Sequence, residues 1–344
     1  MEDNTCLFTL EDHIKGAVWE ITYRCGYGCV HCCNKSVDSD ELKRDELSTE
    51  ELKRGIDHLV DFGINSIYIS GGDPLEREDF LCLLTHTKSR LKNKNLFFAT
   101  NGKKLTPDIA KEIGNIDIGS VLISLDGHTP QIAEKFRPVK DNYYLALRAV
   151  DMLKQNGVQV TIGSVLWKET YGHIEDLIKI GVNAGADTIF FSWLVDLGRA
   201  EGNKEITVPE DYYFQVADRL HALRAEYAGK INVRFRRFET ITEKSKSCPG
   251  GINNYHLVPS GRVSVCSWAY KLDSTLLSQE SIKDKPFTEL VNDEPISGFR
   301  EMIQEREKMG LGPGCPVLCK IKSGDYLTED PLFRRTIEDC GSQR

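Results

Sequence analysis

Cys25, Cys29 and Cys32 stand in the run Ile21-Thr-Tyr-Arg-Cys-Gly-Tyr-Gly-Cys-Val-His-Cys32. Three thiolates spaced C-x3-C-x2-C can each hold one iron of a four-iron cubane and leave the fourth iron without a ligand from the chain. A cluster that only passes electrons normally takes a fourth cysteine. An iron left open in this way is a place for a small molecule to bind. The other metal the run could hold is zinc, with His31 or Cys33 as the fourth ligand, but no second knuckle follows nearby to complete such a site. A disulfide is disfavoured, because adjacent Cys32 and Cys33 and the tight spacing give poor bridge geometry.

A second cysteine set lies near the other end. Cys248 is followed by Gly261-Arg-Val-Ser-Val-Cys266, and later by Cys315-Pro-Val-Leu-Cys319. Gly261 permits a hairpin turn that brings Cys248 and Cys266 together. Four thiolates saturate one 4Fe–4S cluster, and a zinc ribbon is the competing use of the same residues. Cys340 reads as a further ligand, a hydrogen-atom donor or a tail residue. Cys6, Cys33 and Cys82 read as non-ligands, with Cys82 on a predicted helix and in the core.

Polar and glycine motifs recur between the two sets: Gly71-Gly72-Asp73-Pro74, Thr100-Asn101-Gly102, Ser124-Leu-Asp126-Gly127, Phe-Arg137-Pro and Gly198-Arg199-Ala200. Alone, each is an ordinary turn signal. Each follows a predicted strand, however, and sites in parallel sheets gather at the carboxyl ends of the strands. Together with the cysteine loop they resemble the radical S-adenosylmethionine (radical SAM) enzymes, and the later cysteines resemble the Twitch and SPASM auxiliary-cluster domains. The chain has only the C-x3-C part of the full SPASM pattern, so the resemblance implies one auxiliary 4Fe–4S cluster.

The resemblance implies that Cys25, Cys29 and Cys32 bind a cluster whose open iron chelates SAM. It also implies that reductive cleavage of SAM gives a 5′-deoxyadenosyl radical that abstracts hydrogen from substrate. SAM-site roles carry over to Gly71, Gly72, Asp73 and Pro74, where the glycines let backbone approach the methionyl ammonium. They extend to Asn101, to Ser124 and Asp126 for ribose or the amino-acid part, and to Arg137 for the carboxylate. His31 is expected to pack near adenine, and Arg199 to face SAM or substrate. Cys248, Cys266, Cys315 and Cys319 would hold the auxiliary cluster, with Cys340 a candidate hydrogen donor. An electron donor such as flavodoxin or ferredoxin is implied. Two substrate classes follow: a peptide or protein, as in ribosomal peptide maturation, or a sugar or aminoglycoside-type small molecule that is oxidised or epimerised. Fewer than twenty residues precede the first strand, so a leader-binding domain is not expected.

Composition narrows the alternatives. The 344 residues are 40% hydrophobic and 9% aromatic, enough for a sizeable core, and a net charge of −8 argues against a general nucleic-acid surface. Alternation in Val-Arg234-Phe-Arg236-Arg237 reads as a strand with one solvated face. No apolar stretch reaches membrane-spanning length and the first twenty residues lack a signal-peptide core. Eleven cysteines then point to metal chemistry in a reducing cytoplasm.

These residues must be positioned by a repeating framework. Strands are predicted over 17–23, 66–70, 96–100, 121–125, 158–166 and 188–193. Helices are predicted after Ser48-Thr-Glu-Glu51 and over 80–91, 107–113, 143–155, 172–184 and 209–227. Six strand–helix units predict an α/β fold with a parallel sheet, resembling a partial (β/α)6 TIM-like barrel. One more strand is expected over 230–238. A boundary near residue 240 separates residues 1–240 from a small Cys-rich C-terminal domain at 241–344.

Overall fold

In the computed structural model, residues 15–91, 95–235, 248–311 and 314–330 are described. The strands are β1 (Gly16–Glu20), β2 (Ser66–Ser70), β3 (Leu96–Thr100), β4 (Ser120–Ser124), β5 (Val160–Leu166), β6 (Thr188–Trp193), β7 (Asn232–Phe235), β8 (Asn254–Leu257), β9 (Arg262–Ser264) and β10 (Leu277–Ser281). The first seven pair in sequence order, all parallel. Helices cross between them: α1 (Thr49–Asp61), α2 (Phe80–Arg90), α3 (Pro107–Ile116), α4 (Pro130–Phe136), α5 (Asn142–Gln155), α6 (Ile174–Asn183) and α7 (Tyr212–Glu226). This is the expected α/β partial barrel, because strands buried on both faces need a helical crossover to return in parallel.

Local sequence accounts for most of these elements. Ser48 and Glu51 form a reciprocal capping box at the start of α1, with the Ser48 N–H donating to Glu51 Oε2 at 2.8 Å. Gly55 lets α1 approach the sheet, since a Cβ there would stand 2.4 Å from the buried Trp19 ring. The strand predicted over 17–23 stops at Glu20. Beyond it, the backbone turns to the β2–α2 loop, where Gly72 N–H donates to Thr22 O at 2.7 Å and Asp73 N–H to Arg24 O at 2.8 Å. The unexpected helix α4 starts on Thr129, whose hydroxyl accepts from Ile132 N–H, followed by Pro130 at the first helical position. It places Arg137 directly at its end.

The C-terminal segment continues the same sheet. β8 pairs parallel with β1, on the side opposite β2, and β9 and β10 follow antiparallel, so the order is β10-β9-β8-β1-β2-β3-β4-β5-β6-β7. Gly261 makes the β8–β9 turn with φ +77°, as the hairpin reading required. Helices α8 (Ala269–Leu272), α9 (Phe287–Leu290), α10 (Glu294–Lys308) and α11 (Pro316–Ser323) complete this part. The boundary expected near residue 240, Arg236, Arg237 and the end of the strand predicted over 230–238 lie outside the described residues. Cys6 and Cys340 lie outside them as well. Cys82 is on α2 as expected but is exposed, not core: its neighbours Leu83 and Leu84 take the buried face.

Candidate cofactor and metal site

The cysteine loop leaves the carboxyl end of β1 and is held from three sides. Gly71 and Gly72 press against it, and a Cβ on either would stand 2.2 Å from Thr22 O or 2.1 Å from Arg24 O. The glycine pair is therefore required by the close approach of two backbones within the chain. Glu46 joins Arg24 at 3.2 Å and Arg77 at 3.1 Å. From the β6 side, Arg199 donates from Nε to Cys29 O at 2.7 Å and from Nη2 to Ser36 O at 2.8 Å, while Gly198 abuts Cys32 and Cys33. Arg199 lines the cavity, but these donors are engaged by loop carbonyls. Its observed work is to fasten the loop.

Cys25 and Cys29 are buried and pack with Tyr27, and Cys32 lies partly buried beside them. Burial pushes the Cys25 thiol up to about 12 and raises Cys29 as well. N–H donors already face the sulfurs: Asn101 Nδ2 stands 3.6 Å from Cys25 Sγ and Arg137 Nη1 3.5 Å from Cys29 Sγ. Donors of this kind suit thiolate sulfurs that carry a metal, and metal binding removes the protons that burial retains. Among the described residues no three His, Cys, Asp or Glu side chains converge on a single ion. A cubane takes its thiolates at separate corners instead.

The three cysteines line a cavity of about 520 Å³. His31, Gly71, Gly72, Asn101, Ser124, Arg137 and Arg199 also line it, as do Cys248, Cys266 and Cys315 from the C-terminal part. The structure thus brings most of the expected site residues to one space. His31 is half-buried and stacks on Phe136 with centroids 4.0 Å apart, and Phe136 stacks on Trp167 at 4.4 Å. Its Nδ1 is buried without a partner. Burial first, then the charges of Arg137 and Arg199, hold the imidazole pKa well below its ordinary value, so the ring is neutral at pH 7.

Asp73, Pro74 and Asp126, expected at the SAM site, do not line the cavity. The Asp73 carboxylate accepts from Thr100 Oγ1 at 2.8 Å, Asn101 N–H at 2.8 Å and Leu75 N–H at 3.0 Å, tying the end of β2 to the end of β3. Burial raises its pKa to about 6 against these donors. Pro74 starts a buried 3-10 turn. Asp126 accepts from Val165 N–H at 2.5 Å and pairs closely with Arg137 Nε, so both its oxygens are used inside the protein. Burial opposes the Arg137 charge, but Asp126 and then Cys29 outweigh it and keep the guanidinium ionised. Asp126 aims Arg137; Arg137 is the group that reaches the cavity.

At the other end, Cys248, Cys266 and Cys315 line the same cavity, and Ala269 N–H donates to Cys266 Sγ at 3.3 Å. Burial pushes the Cys248 thiol up, with Cys315 and Cys266 adding to the rise. Cys315 caps α11, and Asp330 accepts from its N–H at 2.9 Å. Cys319, one turn on, is buried but does not line the cavity.

Sequence reasoning missed a buried polar group between the two cysteine sets. Glu20, the last residue of β1, accepts from Lys271 Nζ at 2.9 Å, Asn34 Nδ2 at 3.0 Å and Tyr270 OH at 2.6 Å, and His256 Nε2 lies 3.4 Å away. Burial would raise the Glu20 carboxyl, but Lys271 and His256 reverse this and hold it well below the usual carboxylate range. A charged residue ending an apolar barrel strand was the available signal. Lys271 and His256 carried none.

Fold and site together define a partial-barrel protein with a cysteine-lined cofactor cavity at the carboxyl ends of its strands. Residues 19–180 match the radical SAM superfamily, so the chain carries a radical SAM domain, of a superfamily that uses a 4Fe–4S cluster and SAM. It is 25% identical to an AdoMet-dependent heme synthase of Methanosarcina barkeri, over 91% of this chain and 94% of the relative. It is 26% identical to a PqqA peptide cyclase of Rhizobium meliloti, over 92% of this chain and 86% of the relative. In fold it is similar to Streptococcus suis SuiB bound to S-adenosylmethionine, with a TM-score of 0.74 at 14% identity, covering 93% of this chain and 77% of that one. Native anSMEcpe with bound AdoMet gives 0.73 at 17% identity, covering 94% and 95%. No helix among the described residues is long and apolar enough to cross a membrane.

Proposed function

We propose that the chain modifies a peptide or protein, as in the maturation of a ribosomally made precursor, by an oxidoreductive radical reaction in the cavity between its two cysteine sets. The observation that carries this reading is that Cys25, Cys29 and Cys32 share one cavity with Cys248, Cys266 and Cys315. The first set would hold the SAM-binding cluster, and the second, with Cys319, one auxiliary cluster. When bound, cluster and SAM supply a 5′-deoxyadenosyl radical that takes a hydrogen atom from substrate. The protein supplies the rest: His31 and its ring stack offer an apolar wall for a nucleobase, Arg137 a fixed cation for a carboxylate, and Asn101 and Ser124 hydrogen bonds at the strand ends. Burial of the loop keeps water from the reacting centre. The similarity to a peptide cyclase along most of both chains supports a peptide substrate, and flavodoxin or ferredoxin would be the electron source. Cys340 remains a proposed hydrogen donor.

A second reading, a small-molecule substrate, is favoured by the similarity to a heme synthase over 91% of this chain. Anaerobic turnover with SAM and dithionite separates the two. Deoxyadenosine formation that rises with a precursor peptide from a neighbouring gene, together with a mass change in that peptide, supports the first reading. A response confined to small molecules overturns it.

A further inference from the structure

Helix α10 buries Ile296, Phe299, Ile303 and Arg306 at spacings of three and four. A guanidinium therefore occupies a place where the apolar stripe of the helix calls for another hydrophobic side chain. Arg306 is 2% exposed. Its Nη1 donates to the carbonyls of Tyr326 and Thr328, the latter at 2.8 Å, whereas Nη2 is buried without a partner. Among the described residues no carboxylate forms an ion pair with it. A buried cation with neither a counter-charge nor a full set of acceptors is strongly destabilising. Among the described residues, the position beside Nη2 therefore calls for an anion.

The neighbours of Arg306 indicate what that anion is. Cys319, 1% exposed, and Cys248 are both within its electrostatic reach. Thr328, whose carbonyl Arg306 holds, meets Ser323 Oγ through its hydroxyl at 2.8 Å, and Ser323 Oγ donates to Cys319 O at 2.8 Å, so the guanidinium and Cys319 are tied to one turn. Thiolates on an iron–sulfur cluster would give the guanidinium a net negative body with several sulfur acceptors.

We propose that Arg306 is a positioning and tuning residue for the auxiliary cluster, compensating its charge and donating from Nη2 to one of its sulfurs. This rests on the auxiliary-cluster reading given above. Its consequence follows from charge: one-electron reduction adds a negative charge to the cluster, and a fixed cation beside it stabilises the reduced form more than the oxidised form. Arg306 therefore raises the auxiliary reduction potential and leaves the other cluster, across the cavity, unaffected.

The test uses the full-length chain with Cys25, Cys29 and Cys32 replaced by Ala, so that only the auxiliary cluster is reduced in a mediated titration followed by electron paramagnetic resonance. Arg306→Gln is expected to lower the reduced-to-oxidised ratio at a fixed potential about tenfold, equivalent to a downward shift of about 59 mV for one electron. Arg306→Lys, which keeps the charge, should change that ratio less than threefold. Equal iron content with an unchanged potential in Arg306→Gln overturns the proposal alone. A parent chain that binds no four-iron cluster overturns the auxiliary-cluster reading and the proposal with it. A measurement without substitution at Arg306 guards against misfolding: arginine labelled with 15N at the guanidinium should show nitrogen coupling to the reduced cluster in pulsed resonance, and its absence overturns the hydrogen bond.

Discussion

Glu20 and Lys271 form a buried ion pair at 2.9 Å that joins the end of β1 to α8, so the strand leading into the cysteine loop is bonded directly to the C-terminal part. Asn34 Nδ2 bridges Glu20 Oε1 and Gly71 O, and so ties the far side of the cysteine loop to the same carboxylate. Lys271→Met leaves that carboxylate buried without its cation and should cost about 3–5 kcal/mol. Denaturant unfolding of the iron-loaded protein under nitrogen measures this. Glu20→Leu on the Lys271→Met background should restore part of the loss, since the uncompensated charge is then gone.

The same pair sets a pH dependence. The folded Glu20 pKa lies below its ordinary 4.5, so its contribution is fully present above that value and is lost as pH falls toward the folded pKa. Lys271 is shifted up from 10.5: burial opposes its charge, but Glu20 outweighs burial. Its contribution is complete below that pH and is lost as pH rises through the folded pKa. Glu20→Gln should therefore flatten the stability profile below pH 5 relative to the parent. An unchanged acid limb in thermal melts would show that other carboxylates govern it.

Arg199 bonds two carbonyls of the cysteine loop, and hydrogen bonds from a charged donor contribute about 1.5–3 kcal/mol each. Arg199→Ala should loosen the loop: iron bound per chain falls, and amide exchange over residues 25–37 accelerates. Arg199→Lys, which cannot span both carbonyls with a planar fork, should be intermediate.

Asp126 acts on the cavity through Arg137. Asp126→Asn and Arg137→Gln should therefore not be additive, with a coupling of about 1–3 kcal/mol in a double-mutant cycle for SAM affinity. Additive losses would mean that Asp126 acts independently of Arg137.

Gly72→Ala should abolish cluster loading, because its Cβ would meet Arg24 O, a backbone atom that cannot rotate away. Gly172→Ala is the matched control: no atom lies within 4 Å of the added Cβ. Soluble yield and iron content distinguish them at once.

Much of this was legible in the sequence. Strands 66–70, 96–100 and 188–193 end where apolar runs meet turn residues, and the structure has the same limits. The cysteine loop was legible because ligand spacing is local. The work of Asp73, Asp126 and Arg199 was not, since each acts through partners on other elements, 11 to 170 residues away. A turn motif shows that a polar side chain sits at a strand end, not whether it faces the cavity or its neighbour. α4 was missed because the Asp126-Gly127 turn before it masked the Thr129-Pro130 start. Arg306 was invisible without the helix register that makes its burial apparent.

Because β8 lies against β1, the strand carrying the cysteine loop has a hydrogen-bonded neighbour on each side. A fragment ending at Phe235 would uncover a row of backbone donors and acceptors on the strand that delivers Cys25, a ready template for adhesion to other chains. Swapping the tail for another enzyme's would have to preserve that seam, register included. Modular exchange of substrate specificity in this architecture is constrained by strand pairing as much as by cofactor ligation.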